Sequence, residues 1–181
     1  MLKRILLVLA LLLGTSMPAL ALDLENTLYL DLKDGRVVIE MLPQVAPKTV
    51  AHIKELARQG FYDNTPIHRV IPGFMAQMGD PTGTGSGPGS GQNVPAEFST
   101  LKHERGIVSM ARTANDLNSA DSQFFICFAP APSLDGRYTI WGRVVDGMQF
   151  VDRIKAGTEE ENGIVMMPDK VVKVQVAADA Q

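Results

Sequence analysis

Short apolar runs separated by polar turns extend along most of the chain. The first two runs, residues 27–32 and 36–41, lie on either side of Lys33-Asp34-Gly35. An Asp-Gly pair between two apolar runs is a strong signal for a β-hairpin. The same pattern predicts further short strands at residues 67–71, 74–78, 106–111, 123–128, 139–145 and 171–176.

Two segments have the longer apolar period of a helix. Residues 47–59 begin with a proline, which suits a first helical turn, and Gly60 suits the position just after the helix end. Residues 148–155 form the second predicted helix. Because the strands do not alternate regularly with helices, the order predicts an antiparallel closed barrel, not a doubly wound sheet, with two helices covering its ends. The apolar stripe of the first helix consists of Val50, Ile53, Leu56 and Ala57.

The first 21 residues have the pattern of a secretory signal peptide. Lys3 and Arg4 precede an unbroken apolar run at residues 5–13, and Ala19-Leu20-Ala21 suits a cleavage site. The run is too short for a membrane span, which needs roughly 20 apolar residues, so no stable membrane anchor is expected. We therefore expect export to the periplasm and a single domain at residues 22–181.

Composition excludes several classes of protein. The 181 residues carry a net charge of −3 and are 45% hydrophobic, which is typical of a globular domain and gives no basic face for nucleic acid. Cys127 is the only cysteine, so no disulfide can form within the chain. Since it lies in an apolar predicted strand, we expect it to fill the core.

Signals for cofactor or metal chemistry are weak. The glycine-rich segment 79–91 contains no lysine, which a phosphate-binding P-loop requires, so its glycines are expected to allow left-handed turns. The histidines His52, His68 and His103 have no partners at metal-ligand spacing. No serine lies in a Gly-x-Ser-x-Gly context, which disfavours a hydrolase. We expect neither a cofactor nor a metal.

Four short motifs occur in one order along the chain. They are HRVIPGFMAQ at residues 68–77, SMA at 109–111, SQFFI at 122–126 and LDGRY at 134–138. Together they resemble the cyclophilin family of peptidyl-prolyl isomerases, and the resemblance extends from about residue 26 to residue 176. It implies a closed eight-stranded antiparallel β-barrel capped by two α-helices.

The resemblance also implies roles for individual residues. Arg69 resembles the catalytic arginine of the family. The remaining expected substrate-binding residues are Phe74, Met75, Phe125 and Leu134 in an apolar pocket for the proline ring, Tyr138 at its wall, Gln77 and Gln123 on the substrate backbone, and Ala111, Arg112 and Thr113 along the edge for the residue before proline.

These residue types suit the reaction. Rotation about a peptide bond costs about 18–20 kcal/mol because resonance gives the bond double-bond character. At Xaa-Pro bonds the two isomers have similar energies, yet they exchange only over tens to hundreds of seconds. No covalent bond changes, so a permanently charged arginine that favours the twisted amide is sufficient chemistry.

Three positions depart from common family residues. Ser133 lies where many members have a tryptophan that helps to bind cyclosporin, so weak inhibition is expected. Tyr138 lies where many have histidine, which predicts retained activity at an altered rate. Arg112 replaces a common asparagine and is expected to favour acidic residues near the proline.

The sequence therefore predicts a monomeric isomerase that assists the folding of exported proteins, with proline-containing, partly folded polypeptides as its partners. A binding module that docks proline-containing segments without catalysis is the main alternative. Since Arg69, Phe74, Gln77 and Phe125 are all present, the enzyme is favoured. A metal-dependent hydrolase is a third possibility, for which ligands are lacking.

Overall fold

Eight antiparallel strands form one sheet in the computed structural model, which describes residues 23–180. These residues include two helices, α1 at Pro47–Arg58 and α2 at Met148–Val151, together with three short 3₁₀ turns. No helix within residues 23–180 combines the length and the apolar character that a membrane crossing requires. The predicted signal peptide, residues 1–21, lies outside the described residues. The strands are β1 Thr27–Leu32, β2 Gly35–Met41, β3 Arg69–Ile71, β4 Met75–Met78, β5 Ile107–Met110, β6 Phe124–Cys127, β7 Ile140–Asp146 and β8 Lys173–Val176.

The sheet curls into a half-barrel. Its strands are hydrogen-bonded in the order β3-β4-β6-β5-β7-β2-β1-β8, which leaves β3 and β8 at the two edges. Just ahead of β8, Val171 N donates at 2.9 Å to the oxygen of Thr65, which precedes β3, and Val172 N donates at 2.8 Å to the oxygen of Asp31 on β1. The predicted mainly β fold of eight antiparallel strands with two helices is confirmed. The predicted closure is overstated, because within residues 23–180 no strand ladder pairs β3 with β8, and the sheet is a curled half-barrel.

Strand register separates two faces of the sheet. On β3, β4 and β6, Val70 pairs with Ala76 and Ala76 pairs with Ile126, and all three belong to the main core. The neighbouring row, in which Arg69 pairs with Gln77 and Gln77 pairs with Phe125, faces the other way. Because side chains alternate along a strand, the same three strands supply both the barrel interior and an outer surface.

The two residue types that occur once in the chain are both buried, and for Cys127 this was predicted. Trp141 lies in the core and packs edge-to-face on Phe124, with ring centroids 5.5 Å apart. Cys127 lies on β6, and burial raises the pKa of its thiol to about 12. Since the thiolate is the reactive form, this cysteine is chemically inert at neutral pH.

Helix α1 receives its N-terminal cap from a distant residue. Its predicted apolar stripe is buried, and Gly60 ends the helix at a φ of +68°. Ala46, at the cap position, offers no side-chain acceptor. The carboxylate of Glu97 instead accepts from the backbone N–H groups of Lys48 at 3.0 Å and Thr49 at 2.8 Å. It therefore pairs donors that the helix itself leaves unsatisfied.

Helix α2 is shorter than the sequence predicts. It ends at Val151, not at residue 155. Arg153 N donates to Phe150 O and Ile154 N donates to Val151 O, so tighter turns replace the helix. These turns bury Ile154, and burial of an apolar side chain outweighs the weak local preference for continued helix.

We expect Glu97→Ala to lower the free energy of unfolding by about 1–2 kcal/mol, because the first turn of α1 loses its carboxylate acceptor. Urea titration followed by circular dichroism measures the change. Glu104→Ala is the matched control, since Glu104 is exposed and its carboxylate has no hydrogen bond to any described residue. Equal stability of the two variants would contradict the capping role.

Candidate active site

An apolar cluster covers the outer face of strands β3, β4 and β6. Its buried members are Met75, Phe125 and Cys127. Six of the predicted site residues lie in this cluster, so side chains from distant parts of the sequence meet where one proline ring could dock. The residues that complete it, partly buried, are Ile71, Phe74, Ala111, Leu134 and Tyr138, and we call the whole set the outer apolar cluster.

Phe125 forms the centre of the outer apolar cluster. It stacks on His103 with ring centroids 6.2 Å apart, and Tyr138 meets it edge-on at 5.8 Å. The guanidinium of Arg112 lies over the Tyr138 ring, 4.6 Å from its centroid. The aromatic wall is therefore supported from two sides, and Arg112 contributes to it through Tyr138.

A chain of hydrogen bonds borders the outer apolar cluster. Arg69 Nη1 donates to Gln77 Oε1 at 3.2 Å, Gln77 Nε2 donates to Gln123 Oε1 at 2.8 Å, and Gln123 Nε2 donates to Gly85 O at 3.2 Å. Each amide both accepts and donates, so the arginine at one end fixes the direction of the whole chain. The three predicted polar residues are thus connected directly.

Arg69 is held by neutral groups. Its Nε donates to the backbone oxygen of Asn162 and its Nη2 donates to Asn162 Oδ1, both at 2.9 Å. Within residues 23–180, Arg69 belongs to none of the ion pairs closer than 4.0 Å. Burial lowers the pKa of Arg69 from its ordinary value, while Tyr138 acts in the opposite direction. The guanidinium stays charged, and no nearby carboxylate offsets its charge.

A cavity of about 380 Å³ adjoins the hydrogen-bonded chain. Thr113 lines this cavity and does not join the outer apolar cluster, and its backbone N–H donates to Ser119 Oγ at 2.9 Å. The other predicted residues that face the cavity are Gln77, Ala111, Arg112 and Gln123. Of the predicted edge residues, Ala111 belongs to both the cavity wall and the outer apolar cluster, so the two features adjoin there.

The far wall of the cavity is the glycine-rich segment, which two aspartates hold in place. Asp80 accepts from the backbone N–H groups of Gly85 at 2.8 Å and Gly87 at 3.1 Å. Asp121 accepts from Gly91 N at 2.9 Å. Burial would raise the pKa of Asp80, but these hydrogen bonds and those from Thr82 lower it overall. The predicted left-handed turns are confirmed, for example at Gly85 and Gly91, where φ is +74° and +79°.

Sequence reasoning missed the residues that support the site from behind. No partner was assigned to His103 from the sequence, and the structure buries its ring against Phe125. Its ring Nδ1 lies 3.0 Å from Asp135 Oδ1, and its backbone N–H donates to the same oxygen at 2.9 Å. Burial lowers the pKa of His103, and the contact with Asp135 opposes this shift. The segment carrying Leu134 is thereby attached to the barrel.

The family follows once these features are compared with known sequences. The sequence model described as cyclophilin-type peptidyl-prolyl cis-trans isomerase/CLD matches residues 27–176. The chain belongs to the cyclophilin family. The match spans every strand of the barrel, and the residues that form the outer apolar cluster and the hydrogen-bonded chain lie within it.

Relatives of similar sequence are named as peptidyl-prolyl cis-trans isomerases. This cyclophilin is 49% identical to a probable peptidyl-prolyl cis-trans isomerase of Brucella suis, over 95% of this chain and 93% of the relative. It is 43% identical to peptidyl-prolyl cis-trans isomerase B of Bacillus subtilis, over 73% of this chain and 92% of the relative. The chain is therefore a peptidyl-prolyl cis-trans isomerase.

Solved cyclophilin structures have the same fold. A cyclophilin from Hirschia baltica superimposes with a TM-score of 0.78 at 28% identity, covering 88% of this chain and 77% of the other. A cyclophilin-type isomerase from Cryptosporidium parvum, crystallised in the presence of the dipeptide Ala-Pro, gives a TM-score of 0.74 at 29% identity, covering 83% and 98%.

The pairing of Asp135 with His103 predicts a pH-dependent stability. Hydrogen bonds from the backbone and ring of His103 lower the pKa of Asp135 from 3.8 to about 2. A depressed carboxylate pKa stabilises the fold above the unfolded value, and the contribution disappears as the pH falls toward the folded value. Asp135→Asn should therefore lower the free energy of unfolding at neutral pH, and its deficit should shrink toward about pH 3.

Urea titrations of both proteins across this pH range measure the deficit. Ser133→Ala is the control on the same segment, because it changes no ionisable group and its effect should not depend on pH. A deficit for Asp135→Asn that stays constant down to about pH 3 would show that the ionised carboxylate does not stabilise the fold.

Proposed function

We propose that this cyclophilin assists the folding of exported proteins, that Arg69 stabilises the twisted Xaa-Pro amide, and that the outer apolar cluster holds the proline ring. One observation supports the mechanism most directly. A guanidinium with no carboxylate partner among the described residues borders the apolar cluster, with Arg69 Nη1 only 4.0 Å from Met75 Sδ. The positive charge of Arg69 is thus adjacent to the apolar surface on which a proline ring would dock.

Binding of the proline ring would depend on the outer apolar cluster. Phe125 and Met75 are buried at its base, whereas Phe74, Leu134 and Tyr138 remain partly exposed at its rim. Removing apolar surface from water contributes about 25 cal/mol per Å², so a ring enclosed by these side chains is held without a covalent bond. The Ala-Pro dipeptide, in whose presence the Cryptosporidium parvum relative was crystallised, carries a proline ring of this kind.

Catalysis would depend on charge developed during rotation. As the amide twists, conjugation is lost and a lone pair returns to the proline nitrogen. A donor that contacts the twisted amide more strongly than either planar isomer lowers the barrier. Arg69 supplies such a donor, because Asn162 and Gln77 use three of its five N–H groups and at least one on Nη2 has no acceptor among the described residues.

Replacement of Arg69 is the decisive test. We expect Arg69→Ala to lower kcat/KM for isomerisation of a short Xaa-Pro peptide by about 100-fold, because the twisted amide loses its charged donor. Isomerisation should be followed at low temperature, where the uncatalysed reaction takes minutes. Arg143→Ala is the matched control, since Arg143 is an exposed arginine on β7 that pairs with Glu40.

Two results would count against this mechanism. Full activity of a folded Arg69→Ala protein would remove the proposed role of the arginine. A folded wild-type protein that binds proline-containing peptides but does not accelerate their isomerisation would favour the binding module. NMR exchange spectroscopy on the same peptide separates these results, because binding shifts the peptide signals whether or not exchange is accelerated.

Export is proposed from the first 21 residues. A positive start, an apolar run at residues 5–13 and the sequence Ala19-Leu20-Ala21 are the three parts of a signal peptide. A periplasmic isomerase would meet polypeptides before they have folded, when their prolyl bonds still occur in both isomers. Slow prolyl exchange would then limit folding, and catalysis would remove that limit.

The export proposal predicts a processed protein. When the full chain is expressed in a bacterium, we expect it in the periplasmic fraction with Leu22 as its first residue, as N-terminal sequencing would establish. Leu9→Arg should block export because a charge interrupts the apolar run, whereas Leu9→Val should not. Recovery of the wild-type chain from the cytoplasm with Met1 in place would contradict export.

A further inference from the structure

Asn162 makes two hydrogen bonds to Arg69 from a position 93 residues away in the sequence. Its backbone oxygen accepts from Nε and its side-chain Oδ1 accepts from Nη2, both at 2.9 Å. Nε–H and one Nη2–H point in the same direction, so the two acceptors form a bidentate contact with one edge of the planar guanidinium. Such a contact fixes the plane as well as the position of the group.

The backbone conformation at Asn162 directs both its backbone oxygen and its Oδ1 toward Arg69. Asn162 has a φ of +53°, in the left-handed region that asparagine tolerates better than most residues. Gly163 N donates to Thr158 O at 2.7 Å, which closes the loop. A Cβ at Gly163 would lie 2.4 Å from Ile71 Cγ1, so only glycine allows the loop to approach β3 this closely.

Two further hydrogen bonds attach this loop to β3, which carries Arg69. Val70 N donates to Gly163 O at 2.7 Å, and Gly157 N donates to Val70 O at 3.0 Å. Gly163, which follows Asn162 directly, and Gly157, earlier in the same loop, are therefore both hydrogen-bonded to Val70, the residue next to Arg69. These hydrogen bonds fix the position of the loop relative to β3, so Asn162 is held beside the guanidinium of Arg69.

We propose that Asn162 is the positioning residue for Arg69, and that it holds the guanidinium plane so that its remaining donors face the substrate amide. This proposal rests on the proposed role of Arg69. The contact uses the Nε–Nη2 edge, and Gln77 takes one proton of Nη1 on the other side. Without Asn162 Oδ1, the guanidinium plane can turn about the side-chain Cδ–Nε bond and spends less time in the productive orientation.

The identity of the acceptor also matters. Asn162 and Gln77 are neutral, so they orient the arginine and leave its positive charge uncompensated. A carboxylate in the same place would offer equally good acceptors but would offset the charge by Coulomb attraction. Asn162 supplies both acceptors, its backbone oxygen and its amide Oδ1, from a left-handed position without that cost.

Asn162→Gly tests the proposal with little disturbance of the backbone. Glycine accepts the positive φ and retains the backbone oxygen, so only Oδ1 is lost. We expect kcat for the Xaa-Pro peptide to fall by about tenfold while KM stays within about twofold, because the interaction with the twisted amide is weakened and ground-state docking is not. Thermal unfolding of the variant establishes that the fold is intact.

Asn64→Gly is the matched control. Asn64 is also left-handed, with a φ of +60°, and its exposed side chain has no hydrogen bond to any described residue. The change in residue type and in backbone region is the same, but Arg69 is not involved. We expect this variant to retain the wild-type kcat.

A double-mutant cycle separates positioning from a general structural effect. In the Arg69→Ala background, Asn162→Gly should have no further effect, because there is no guanidinium left to orient. A second readout is the NMR signal of the Arg69 guanidinium, whose rotation about Nε–Cζ should become faster in Asn162→Gly and stay unchanged in Asn64→Gly.

The outcomes distinguish this proposal from the proposed function. If the wild-type protein is active and Asn162→Gly matches it in kcat, or if the loss persists in the Arg69→Ala background, the positioning role of Asn162 is overturned. If Arg69→Ala itself retains full activity, the catalytic role of the arginine fails first. A selective loss of kcat that depends on Arg69 supports the positioning role.

Discussion

The register of the short strands β3, β4 and β6 is the constraint on which the rest of the molecule depends. Val70, Ala76 and Ile126 form one row across these strands and fill the barrel. Arg69 and the residues paired with it form the next row, on the outer face. A shift of one residue would exchange the two faces, so the energy that buries the core also specifies the face on which Arg69 lies.

Loops then complete a site that the strands only begin. The segment around Leu134 covers Phe125 because Asp135 attaches it to His103, and the loop around Asn162 meets Arg69 because Gly163 allows close approach to β3. Each attachment combines a backbone donor or acceptor with a contact between two side chains. The outer apolar cluster and the charged donor are therefore held by separate supports, which can be altered independently.

Local structure could be predicted from sequence where the signal was local. The Asp-Gly turn predicted the β1–β2 hairpin, and the apolar stripe with Gly60 predicted α1 to within one residue at its end. The predicted end of helix α2 was wrong, because burial of Ile154, a tertiary effect, favoured tighter turns over continued helix. The pairing order of the strands was not predicted, since no local pattern specifies which distant strands meet.

The residues of the site could likewise be predicted where they share one motif, and could not where their role depends on distant contacts. Arg69, Phe74 and Gln77 lie in one motif, so their neighbourhood in space could be expected. Asn162 and His103 carried no such signal, because their roles depend on contacts to residues 93 and 32 positions away. An Asn-Gly pair indicates a turn, but it does not indicate that the turn will meet an arginine.

The departures from common family residues at Arg112 and Tyr138 form a single physical unit. Arg112 Nε donates to Arg137 O at 3.1 Å, and its Nη1 donates to Thr113 O at 2.9 Å, while the guanidinium lies over the Tyr138 ring. The expectation that Arg112 attracts acidic residues near the proline treats its charge as freely available. Here carbonyl oxygens and an aromatic face already engage that charge, and they weaken its attraction for a carboxylate in solvent. The consequence of having arginine at this position therefore begins with Tyr138, whose ring forms part of the outer apolar cluster.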